Sequence, residues 1–124
     1  MATIRAYTTI EQSNRLAEIL PLESADMIFD GVGYELGIPK VKPCGYVKSP
    51  NTLPCWSCAA LVSVLPRFIE YKGEKYYLGF MKEYVEYAND EVSITGRCLH
   101  TTGNDNLVDA CYEMILKLHE LNLL

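Results

Sequence analysis

Apolar residues at Leu107, Cys111, Met114, Leu118 and Leu121 recur at alternating spacings of four and three, the stripe of an amphipathic helix. Asn106 stands where an N-cap is needed, and Asp109 follows at the third helical position, where a carboxylate suits the helix dipole. A first helix is predicted to begin at Thr9. Thr9-Ile10-Glu11-Gln12 fits a capping box, Ile10, Leu16, Ala17 and Leu20 supply its apolar side, and Pro21 stops it. A second helix follows Ser57, its expected N-cap. Trp56 before the cap and Leu61 four residues into the helix occupy the two positions of a hydrophobic staple. Ala59, Ala60, Leu61, Val62, Val64 and Leu65 make this helix apolar nearly all round, which predicts burial, and Pro66 ends it.

Between these helices the period changes. Residues 25–30, "ADMIFD", predict a short strand. Residues 31–54 are rich in glycine and proline and predict a long irregular loop in which "GYVKS" forms at most an edge strand. Residues 67–100 are dense in tyrosine and β-branched residues and predict antiparallel strands: "RFIEY", a "KGEK" turn, then "YYLGFMKEYVEYA" as one strand bulged near Lys82-Glu83, then "EVSITGRCLH". The fold class is therefore α+β, a three- to four-stranded antiparallel sheet with helices packed on it, in the order α-β-loop-α-β-β-β-α. Its 124 residues are expected to form one domain.

Charge changes the picture in one respect. Eleven basic against sixteen acidic residues give a net charge of −5, and the lysines are scattered, so no nucleic-acid footprint is expected. No apolar run reaches the length of a membrane span, and residues 1–5 carry no apolar signal core; a cytoplasmic protein without a membrane partner is expected. The five cysteines then read as thiols rather than as a disulfide framework.

Candidate chemistry centres on Cys55-Trp56-Ser57-Cys58. Three readings compete. A redox pair places a thiol at a helix N-terminus, where the dipole lowers its pKa, but such a motif needs a buried strand leading into it, and "GYVKSPNTLP" does not read as one. A zinc site needs four ligands, and one CxxC supplies two; Cys44, Cys98, His100 and His119 complete it only if the fold gathers them. The third reading makes Cys58 a small buried hydrophobe and Cys55 a helix-entry residue. Gly31-Val32-Gly33 lacks both the spacing and the following helix of a phosphate loop. No nucleophile signature accompanies His100, and His119 suits the last helical turn, where a cation meets the dipole favourably. No catalytic residue, metal ligand or cofactor is assigned.

Tyr71, Tyr76, Tyr77, Tyr84 and Tyr87 crowd one hairpin. Alternation sends some of them outward, where tyrosine favours protein contacts, so they form the candidate interaction surface for a protein partner or for a homodimer.

"TIEQSNRLAEILPLESADM", "PCWSCAALVSVLP" and "DACYEMILKLHELNLL" resemble a family of small uncharacterised proteins of phages and integrated mobile elements of gut anaerobic bacteria. The resemblance covers roughly half the chain. It implies a context but no activity. Two positions depart from the family pattern: a leucine usually stands at Cys58, and a proline usually follows the asparagine at Asn106, where this chain has Leu107. The Cys58 departure counts against a family-wide role for the CxxC. The leading expectation is thus a non-enzymatic accessory or protein-binding module of a mobile element. The alternative is a small thiol- or metal-dependent enzyme using Cys55, Cys58 and His100.

Overall fold

The structure, a computed structural model, describes residues 5–31, 37–80, 84–89, 98–103 and 106–124. Helix α1 (Ile10–Ala17) leads through a short 3-10 turn (Leu22–Ser24) to strand β1 (Met27–Asp30). Strands β2 (Lys40–Val41) and β3 (Thr52–Cys55) pair antiparallel on either side of β1, with Met27 opposite both Val41 and Cys55. Helix α2 (Cys58–Val64) connects to a second sheet, β4 (Phe68–Tyr71), β5 (Glu74–Phe80), β6 (Tyr84–Ala88) and β7 (Cys98–Gly103), in that spatial order and antiparallel throughout. Helix α3 (Leu107–Glu120) closes the chain and packs on β6, β7 and α2. The architecture is α+β, as the residue pattern predicts, but the strands divide between two sheets. Among the described residues no helix is long and apolar enough to cross a membrane.

The caps are built as their residues dictate. Thr9 Oγ1 accepts from the Gln12 backbone N–H at 3.1 Å, and Gln12 Oε1 accepts from the Thr9 N–H at 3.0 Å, which completes the capping box. The Gln12 amide also donates to Asp109 Oδ1 at 2.7 Å, and Arg5 pairs with the same carboxylate, so the starts of α1 and α3 are tied together. Asn106 caps α3 through the Val108 N–H at 2.8 Å.

Two cores result. The larger gathers Leu16, Leu20, Trp56, Leu61, Leu65, Ile69, Val85, Tyr87 and the inner face of α3, including Cys111, Met114, Ile115 and Leu118. The smaller holds Phe29, Leu53 and Cys55 between the three-stranded sheet and α1, with Tyr7, Ile10 and Met27 around it. Neighbouring residues of an extended chain point to opposite sides, so Cys55 enters the small core and Trp56 the large one. The Cys55–Trp56 step therefore pins the two cores together.

Several expectations need correction. "GYVKS" is irregular, and the edge strand is Lys40–Val41 instead. A buried strand, β3, does lead into the CxxC; Pro54 is tolerated because β3 is an edge strand of its sheet. Residues 74–88 are two strands of a hairpin rather than one bulged strand: Phe80 faces Val85, and the expected bulge at Lys82-Glu83 lies outside the described residues. The predicted "EVSITGRCLH" strand is described only from Cys98 onward. The KGEK turn, by contrast, forms as predicted, a tight two-residue turn with Lys72 and Gly73 both at positive φ, the geometry that matches strand twist. Finally, α2 is not buried all round. Leu61 alone is fully buried within it, while Ala59 and Ser63 are exposed.

Candidate functional site

The N-terminus of α2 is held by a dense set of hydrogen bonds. Ser57 Oγ accepts from the Ala60 N–H at 3.2 Å and donates to Asp26 Oδ2, while the Ser57 N–H donates to Asp26 Oδ1 at 2.9 Å. The Trp56 backbone is held on both sides by Thr8, whose N–H donates to the Trp56 carbonyl at 3.0 Å and whose hydroxyl accepts from the Trp56 N–H at 3.2 Å. The indole N–H reaches Ser24 Oγ at 2.9 Å, and Ser24 in turn donates to the Pro21 carbonyl at 2.6 Å. Among the described residues every buried side-chain nitrogen and oxygen has a partner. The junction is a structural lock, and Ser57 is the cap that the sequence pattern predicts.

The two thiols of the motif point into different cores. Cys55 is fully buried, its sulfur 3.5 Å from Thr8 Oγ1 and 3.6 Å from the Thr8 carbonyl. Cys58 packs against the large core. Both are free thiols. Burial pushes the pKa of each up, which outweighs the hydrogen bonds from Thr8 and Ser13 to Cys55 and leaves Cys58 protonated at neutral pH even at a helix N-terminus. A nucleophilic CxxC needs the opposite shift. Cys111, on the inner face of α3, is pushed up to about 12 by burial and by neighbouring Cys58. No three His, Cys, Asp or Glu side chains among the described residues gather as metal ligands. The backbone of His100 lies in β7, but its side chain and those of Cys98 and Tyr84 lie outside the described residues.

The hairpin tyrosines divide between the two faces of the sheet. Tyr87 is fully buried and donates its hydroxyl to the Pro66 carbonyl at 2.6 Å, so it is a core residue and cannot belong to an outward surface. Burial raises its pKa well above the usual tyrosine value. Tyr76 packs partly on the large core, and Tyr71 is half-buried. Tyr77 faces outward opposite Phe68, ring centroids 6.3 Å apart, with Lys75 Nζ 3.9 Å from the centre of the Phe68 ring. Phe68 is 44% exposed. Among the described residues the outward aromatic pair is thus Phe68 and Tyr77 with Lys75 over them, and Tyr87 is not part of it.

A concave site lies between residues 19–26 and α2. Ile19, Leu20 and Pro21 at the end of α1, Glu23 to Asp26 beyond them, Ala59, Ala60, Ser63 and Val64 of α2, and Leu124 line an open groove of about 670 Å³. That size, with mainly apolar walls and a few polar groups, is characteristic of binding clefts. The lock described above shapes it: Ser24 and Asp26, which hold Trp56 and Ser57, form one wall, and the small side chains of α2 form the other. The hint in the sequence was the small-residue pattern Ala59, Ala60, Ser63 on a helix whose other residues are cysteine, leucine and valine. Compared with protein-family models, with curated proteins and with solved structures, the chain matches none.

Proposed function

We propose that this chain is a non-enzymatic protein-binding module, an accessory protein of a phage or mobile element, and that the groove between residues 19–26 and α2 is its working surface. The observation that carries this reading is the groove itself: apolar, open and supported by a rigid, fully bonded wall. A preformed cleft loses little on binding, because few side chains must be ordered. The protonated, divergent thiols argue against the thiol-enzyme alternative. The three stretches that resemble mobile-element proteins supply the context.

A second surface is favoured by one specific observation, the exposed Phe68–Tyr77 pair under Lys75 on the outer face of the four-stranded sheet. Affinity capture from lysate of the natural host separates the two surfaces. Ala59→Arg blocks the groove, and Phe68→Glu breaks the aromatic patch. The proposal expects partners captured by the native chain to be lost on Ala59→Arg and kept on Phe68→Glu. The reverse pattern assigns the function to the sheet face, and full turnover of a thiol substrate by the purified chain would overturn the binding reading.

A further inference from the structure

One segment of the chain has the chemistry that this groove would accept. Residues 37–48 carry Lys40, Lys42 and Lys48 and no acidic residue, in a chain of net charge −5. They also carry Ile38, Val41 and Val47, which are 65%, 77% and 79% exposed, the three most exposed large hydrophobic side chains among the described residues. Aliphatic residues of this exposure, interleaved with lysines, are poorly suited to water and well suited to an apolar surface with acidic edges. The groove has such an edge: Glu23 lies in its wall, beside Asp26, whose carboxylate is held by Ser57.

The segment is held in shape. Tyr46 N–H closes a turn on the Pro43 carbonyl at 3.2 Å, Gly45 supplies the positive φ of that turn, and the Tyr46 hydroxyl bonds Thr52. It is also anchored beside the groove. Lys42 N–H donates to the Asp26 carbonyl at 3.0 Å, and Lys42 Nζ to the Leu22 carbonyl at 3.2 Å. Donor segment and acceptor groove therefore flank the same short stretch, 22–26, with their apolar groups exposed in the monomer. Adjacent, mutually complementary patches on one surface are what a two-fold contact requires, because each copy then supplies a segment and a groove to the other.

We infer that the partner of this groove is a second copy of the chain: residues 37–48 of each copy seat Ile38, Val41 and Val47 in the groove of the other, with Lys48 facing Glu23, while Lys40 and Lys42 stay on Asp30 and the Leu22 carbonyl of their own chain. This rests on the groove being the binding surface and adds the identity of its occupant.

Sedimentation of the full chain at micromolar concentration, with three variants, tests it. Ala59 and Val41 are both exposed, so Ala59→Arg and Val41→Glu leave the fold intact, which circular dichroism verifies. The native chain is expected to sediment as a dimer. Each variant alone is expected to weaken association at least about tenfold, since either change spoils both contacts of the pair. An equimolar mixture of the two is expected to associate more tightly than either variant alone, because one of the two contacts then joins an intact segment to an intact groove. Phe68→Glu should leave the dimer unchanged. A monomeric native chain overturns the inference, even where Ala59→Arg still abolishes capture of another protein, the result that would leave the binding-module reading standing. A dimer indifferent to Ala59→Arg and Val41→Glu, or one dissolved by Phe68→Glu, overturns it as well, as does a mixture that associates no more tightly than either variant alone.

Discussion

The two sides of α2 are built from similar residues and live in different surroundings. Toward α3, Leu61 and Leu65 are buried in the large core, with Cys58 beside them against Cys111. Away from α3, Ala59, Ala60, Ser63 and Val64 face an open groove. A helix that is apolar on both sides suggests burial on both, yet only one side is covered within the chain. The difference teaches that composition reports how much apolar surface a helix presents, while the neighbouring elements decide whether that surface is closed. Small side chains on the uncovered side leave room rather than filling it.

Breaking the covered side should be costly. Trp56 carries the largest fully buried side chain and anchors the wall through Ser24. Trp56→Ala is expected to lower unfolding free energy by about 3–5 kcal/mol, read from denaturant midpoints, and to collapse the groove wall with it. Base should attack the same side. An acid whose pKa is raised on folding keeps its proton in the native state after the unfolded chain has released its own, so rising pH favours unfolding. For Cys111 that contribution is intact below its ordinary value of 9.0 and is lost as pH climbs toward about 12. Stability should therefore decline across this window, the folding equilibrium constant falling by up to about tenfold for each pH step of one. Cys111→Ala should flatten the decline even while lowering the starting stability. Thermal melts across the alkaline range measure both.

At the junction between the two sides, Ser57→Ala removes the cap and one of the two bonds to Asp26. It should cost about 0.5–2 kcal/mol. An unchanged melting midpoint would mean that the Asp26 bond to the Ser57 N–H alone holds the helix start. On the uncovered side the expected effect on stability is smallest: Ala59→Arg, at an exposed position, should stay within about 0.5 kcal/mol of the native chain while changing what the chain binds.

What was legible in the sequence follows the same division between local and non-local physics. The caps at Thr9, Ser57 and Asn106 and the stripe of α3 are encoded within a few residues, and each forms as the pattern predicts. Strand β3 was not legible, because Thr52-Leu53-Pro54-Cys55 contains a proline and becomes a strand only through pairing with distant β1. The division into β5 and β6 was not legible because no glycine, proline or asparagine stands between Phe80 and Tyr84. Without the register, alternation could not decide that Tyr87 points inward while Tyr77 points outward. Nor does any run of residues spell the groove, whose walls come from the end of α1, the 3-10 turn, α2 and Leu124.

The most direct test of the claim that the uncovered side of α2 is the working surface is site-specific photo-crosslinking. A photoreactive residue is placed at position 59, in the groove, and, in a second protein, at position 77, on the outer face of the four-stranded sheet. The account predicts adducts from position 59 that map to residues 37–48 of another copy, and none from position 77. Adducts from position 77 with none from position 59 would contradict it.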